Sequence, residues 1–256
     1  MMNPTTYGYL SDPDQTNGAD FQILAAQAPV KTTGDNVDLR AFCTDTNQFD
    51  ASACAGNATA DSVEIVYAAN NPGQPVDQLS RMFVYSMART RDGTLDKDAG
   101  TYIRSCFEVL STLGICREVL WPYDTQKVFV SPSILAQREA LGHKIDAYYR
   151  IKSTGLDRLD EIISALKSHH PVVFGTLIEQ SFTARLGLDR VIDRPKGATI
   201  GGHAMVIVGY IDGMFLVKNS WGPYWRDGGY ALLSPEYIMW SNTQDLWVPT
   251  LGFNEV

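Results

Sequence analysis

Apolar residues recur at helical spacing through the first two thirds of the chain and then give way to short β-rich runs. Ala58, Val63, Val66 and Tyr67 predict a helix over residues 54–69, closed by the turn signal Asn70-Asn71-Pro72-Gly73. Leu79, Met82, Phe83 and Met87 form a core stripe on a second helix over 79–90. Ile103, Phe107, Val109 and Leu110 place a third over 99–113, with Gly114 where a C-terminal cap favours glycine. Two more are expected over 132–141 and 156–167, the latter led by acidic residues at the positive end of its dipole.

From Pro171 onward, the stretches 172–178, 203–211, 214–220, 230–234 and 246–251 are β-branched or aromatic and bounded by Gly, Pro and Asp, which predicts strands. Asp212-Gly213 between two of them signals a tight hairpin, because a type I′ turn needs positive φ at both central residues. Such a hairpin returns His203 and Asn219 to the same end. A helix-rich half followed by an antiparallel-looking half implies an α+β fold of two lobes with a site in the crevice between them. Residues 1–38, rich in Gly, Pro, Asn, Asp and Thr with one apolar island at Phe21-Gln22-Ile23-Leu24, read as an arm lying on the body. The body, 39–256, divides into a helix-rich lobe of about 39–150 and a β-rich lobe of about 151–256.

Composition narrows the functional classes. The net charge is −8 with the 21 basic residues scattered, which argues against nucleic acid or an anionic membrane as partner. No stretch approaches the roughly 18 uninterrupted apolar residues of a membrane helix. The start has neither a basic n-region nor an apolar h-region, so no secretory signal is expected, and a cytoplasmic or particle-associated location fits best. Cys43, Cys54, Cys106 and Cys116 lack CxxC spacing, and no metal or cofactor site is expected. Cys106 and Cys116 read as buried thiols; His143, His169 and His170, without partners at catalytic spacing, read as surface or helix-end residues.

Only Cys54 opens a predicted helix, where unpaired N–H groups and the dipole favour a thiolate. Gln48 lies six residues before it, and the chain continues with Gly202-His203-Ala204, Lys218-Asn219-Ser220-Trp221-Gly222 and Trp225-Arg226-Asp227-Gly228-Gly229-Tyr230. In this order the segments resemble the papain family of cysteine peptidases, and Gly8-Tyr9-Leu10-Ser11-Asp12-Pro13-Asp14-Gln15, Asp38-Leu39-Arg40 and Leu120-Trp121-Pro122-Tyr123-Asp124 extend the likeness to a bacterial and viral branch. The resemblance implies a helical left lobe, a β-barrel-like right lobe, and hydrolysis of peptide or protein substrates. It implies that Cys54 is the nucleophile, His203 the base, Asn219 the group that orients the imidazole, Trp221 its shield and Gln48 an oxyanion donor. Ala99-Gly100 is the expected match to the glycine pair of the substrate cleft, with Gly202 beside the histidine.

The chain departs from the family at Ala51, where a disulfide cysteine is usual, and at Ala55, where tryptophan commonly follows the nucleophile. The first suits a reducing compartment, and the second opens space near the oxyanion site. Residues 1–38 are short for the family's inhibitory helical propeptide, so control of that kind is not expected. Two other readings stand beside the peptidase: a structural or adaptor component of an assembly, held through the N-terminal arm or the tail from Met239 to Val256, and an amide hydrolase or transferase of narrow substrate.

Overall fold

A computed structural model describes residues 7–22, 36–183 and 190–251. The centre of the molecule is α1, Cys54–Asn70, buried along its whole length up to Val66. Small residues make this burial feasible: a Cβ on Gly56 would lie 2.8 Å from the Tyr85 side chain, so the glycine lets the next helix approach. That helix is α2, Arg81–Asp92, which starts on Ser80, whose Oγ accepts the Phe83 N–H at 3.1 Å, and stops at Gly93 with φ 71°. The third helix, α3, Ile103–Thr112, packs on both. Two more follow, α4 at Ile134–Ala140 and α5 at Gly155–Lys167, and a short α6 at Pro235–Ile238.

The third helix begins later than its apolar stripe predicts. Gly100 has φ 87°, and Thr101–Tyr102 form a strand, β4, that pairs in parallel with β1, Tyr9–Leu10. The arm therefore takes part in the fold: β2, Ala19–Asp20, pairs with β5, Ala147–Arg150, and β3, Val37–Asp38, pairs with β8, Thr199–Ile211. Phe21 is buried, while Ile23 and Leu24 lie outside the described residues.

The other strands are β6, Val172–Glu179, β7, Val191–Ile192, β9, Met214–Lys218, β10, Tyr230–Leu233, and β11, Thr243–Thr250. With β3 set aside against β8, the large sheet runs β2-β5-β11-β6-β8-β9-β10-β7, an open path rather than a closed barrel. Thr243 to Thr250 of the tail are part of this sheet, with Trp247 fully buried in β11. Residues 252–256 lie outside the described set.

Candidate active site

Helix α1 starts without a side-chain cap at Ala53, which leaves the first-turn N–H groups around Cys54 without a capping acceptor. Cys54 packs against β8, where the Ala204 amide reaches its sulfur, and the neighbouring residue on that strand is His203. The hairpin predicted at Asp212-Gly213 is present, with φ 50° and 82° at the two positions. Turn geometry alone would set His203 and Asn219 on opposite faces. A β-bulge between Ile207 and Gly209 shifts the register from Ile211↔Met214 to Val206↔Lys218. The one-residue slip brings both side chains to one face.

His203 Nε2 lies 2.8 Å from Asn219 Oδ1, which also accepts the Ser220 N–H at 2.7 Å. Oδ1 can only accept, so Nε2 carries the proton and Nδ1 is the free base; Nδ1 is buried and has no hydrogen-bond partner. The Trp221 ring lies over the imidazole with centroids 4.5 Å apart, which covers the His203–Asn219 bond. Gln48 is held on three sides: its Nε2 donates to Ala51 O at 2.9 Å, its Oε1 accepts from Ser220 Oγ at 2.7 Å, and its N–H donates to Ser220 O at 2.8 Å. One Nε2 hydrogen of Gln48 remains for another acceptor.

Below this group lies a buried charge cluster that the sequence did not signal. Lys218, adjacent to Asn219, donates to Asp61 on α1 and to Thr46 Oγ1, while Arg81 on α2 binds Asp61 and Glu64. The cluster ties the strand carrying Asn219 to the helix carrying Cys54. Cys106 and Cys116 are free thiols.

The cleft is filled by the chain's own arm. Gly8 O accepts the Thr101 N–H at 3.0 Å, and Gly8 presses so closely on Ser52 that a Cβ there would fall 1.7 Å from the carbonyl oxygen. Gly100 abuts the Gly8 carbonyl, so the position expected from the cleft glycines touches the occupying segment, while Ala99 beside it is exposed. Gly201 and Gly202 meet Tyr7 and Tyr9. Cys54 and His203 are consequently both 0% exposed.

This cover controls protonation. Burial pushes the Cys54 thiol up to about 11 against the opposing pull of the Ala204 and Gly8 amides, and it holds the His203 imidazole down at about 4 although Asn219 favours the cation. At neutral pH this burial favours the neutral thiol and the neutral imidazole.

The papain family cysteine protease profile matches residues 34–244. An uncharacterized peptidase C1-like protein of Acanthamoeba polyphaga mimivirus is 34% identical over 206 residues, 75% of this chain and 66% of that relative. A Blomia tropicalis cysteine protease is matched over 51% of this chain and 38% of its own length. Among solved structures, xylellain, a cysteine protease from Xylella fastidiosa, superposes with a TM-score of 0.83 at 27% identity over 98% of both chains. The bromelain protease of Ananas comosus in complex with the E64 inhibitor shares the fold at a TM-score of 0.66 and 21% identity, over 86% of this chain and 100% of that one. On the family match, supported by the fold, this chain belongs to the papain family of cysteine proteases.

Proposed function

We propose that the chain hydrolyses peptide bonds by acyl transfer through Cys54, with His203 as proton carrier and Asn219 as its orienting partner. The observation that carries the reading is the 2.8 Å bond from His203 Nε2 to Asn219 Oδ1 under Trp221, which leaves the unpartnered Nδ1 as the basic nitrogen of the ring. When the arm leaves and water enters, the desolvation that keeps both groups neutral is relieved, and proton transfer from Cys54 to Nδ1 yields the reactive thiolate. The thiolate attacks the substrate carbonyl carbon, and the oxyanion is held by the Cys54 N–H and the remaining Gln48 Nε2 hydrogen. His203 returns its proton to the leaving amine as the C–N bond breaks, giving a thioester on Cys54. His203 then takes a proton from water, whose oxygen attacks the thioester, and the thiolate is released with the acid product.

A covalent epoxide inhibitor such as E-64, whose complex with bromelain shares this fold, provides the test. Labelling of Cys54 and cleavage of unfolded protein are expected, both lost in Cys54→Ala. Cleavage that persists in Cys54→Ala refutes the assignment.

A further inference from the structure

Tyr9 does more than cover the nucleophile: it fills a built pocket. Its ring stands on Gly175, where a Cβ would fall 2.1 Å from the Tyr9 Cζ, and its carbonyl lies on Gly202, where a Cβ would fall 2.6 Å away. Gly175 and Gly202 lie on β6 and β8, in the ladder that pairs Gly175 with Ala204 and Leu177 with Gly202. The absence of side chains at these two positions creates the depression, because any larger residue would fill it.

The far end of the pocket is polar. Tyr9 Oη donates to Asp245 Oδ2 at 2.6 Å. Asp245 is 2% exposed and has φ 53°, a conformation that costs a non-glycine residue energy, and it stands where the β11 register slips between Gln244 and Trp247. That bulge aims a carboxylate into the cleft. Arg150 binds the other oxygen, Oδ1, and is itself fully buried over the Trp247 ring. The carboxylate charge is therefore already matched by a guanidinium, and what the pocket still offers is one acceptor lone pair at the end of an aromatic-length slot.

We infer that this pocket, walled by Gly175 and Gly202 and floored by Asp245, selects a tyrosine side chain of the substrate. The inference rests on the peptidase reading for its place in catalysis. A lysine or arginine would add a second buried cation beside Arg150, and a phenylalanine would leave one lone pair of Asp245 Oδ2 desolvated and unmatched, the Asp12 N–H at 2.9 Å taking the other. Sites that bind a hydroxyl reject the analogue that lacks it far more strongly than apolar pockets reject an extra methylene.

The experiment uses the full-length Tyr9→Ala chain, in which the pocket is vacated while Arg150 still pairs Asp245. Alkylation of Cys54 by iodoacetamide is followed in the presence of N-acetyl-tyrosinamide, N-acetyl-phenylalaninamide or the O-methyl ether of the former. The tyrosine amide should protect Cys54 at concentrations about 10- to 100-fold lower than the other two, the range for a hydrogen bond to a charged acceptor. Equal protection by all three, or none, overturns the inference. The unaltered chain, digesting a peptide library, should place tyrosine at one fixed position from the cleaved bond; a different residue there also overturns it. Absence of cleavage with selective protection intact would sink the peptidase reading alone and leave the pocket standing.

Discussion

Asp12 is the residue through which the cover can be loosened without touching Cys54, His203 or the Tyr9 ring. It is buried, and its carboxylate accepts from Arg104 Nε at 2.7 Å and lies 3.5 Å from Arg150 Nη1. These contacts hold the arm to α3 and β5, five residues and fewer from the segment over the nucleophile. Asp12→Asn keeps the shape and the backbone N–H that donates to Asp245 Oδ2 at 2.9 Å, but removes the charge. Both guanidiniums keep another carboxylate, Arg104 through Glu108 and Arg150 through Asp245, so neither is left as an uncompensated buried charge. The loss is that of a charge-assisted hydrogen bond, about 1.5–3 kcal/mol. At about 1.4 kcal/mol per decade, the uncovered fraction should rise about 10- to 100-fold. Because Cys54 is 0% exposed under the arm, small-molecule alkylation reports that fraction directly. Iodoacetamide modification of Cys54, quantified by mass spectrometry, should accelerate by this factor with the melting temperature nearly unchanged. A rate within twofold of the parent chain would refute the idea that Asp12 latches the arm.

Other expectations follow from the same geometry. Gln48→Ala should lower the rate of peptide cleavage about 10²- to 10³-fold with little change in KM, the loss typical of one oxyanion donor, and steady-state kinetics would expose a KM-only effect as contrary. His203 is held at about 4 when covered against an ordinary 6.5, so the uncovered form binds the extra proton between these values. Stability of the cover is then complete above pH 6.5 and falls as the pH drops toward 4, by about 2 kcal/mol at pH 5. Hydrogen exchange at the Thr101 amide, which bonds Gly8 O, should lose protection over that range once corrected for intrinsic rates; constant protection would contradict it. Lys218→Met leaves Asp61 short of a buried partner and should destabilise the fold by about 3–5 kcal/mol, read as a lowered midpoint in chemical denaturation.

The parts of the site governed by local pattern were legible in the sequence. The helix opening at Cys54 follows from apolar spacing, and the hairpin follows from Asp212-Gly213, whose φ values meet the demand of the turn. What could not be read arises from contacts between distant segments. Thr101–Tyr102 become a strand only because Tyr9–Leu10 lie beside them, so the predicted third helix extended too far toward its N-terminus. Asp245 is a single acid in an apolar stretch, and nothing local marks its link to Arg150 and Tyr9. Gly175 did carry a usable signal, since a glycine inside a strand indicates close approach of another group. A few residues of the arm suffice to lie over the nucleophile, Gly8 against Ser52 and Gly100, and Tyr9 and Leu10 paired with β4.

The slip at Ile207–Gly209 gives the molecule an unusual mutational sensitivity. Side-chain facing in a strand is two-valued, so a one-residue deletion in that bulge would invert it while leaving His203, Asn219 and their chemical identities in the sequence. A lineage that lost one codon there would retain every residue of the motif and could not form its hydrogen bond. Motif identity and motif function are thus separable in this fold by an insertion or deletion alone, and the spacing between His203 and Asn219 carries as much of the chemistry as the two residues do.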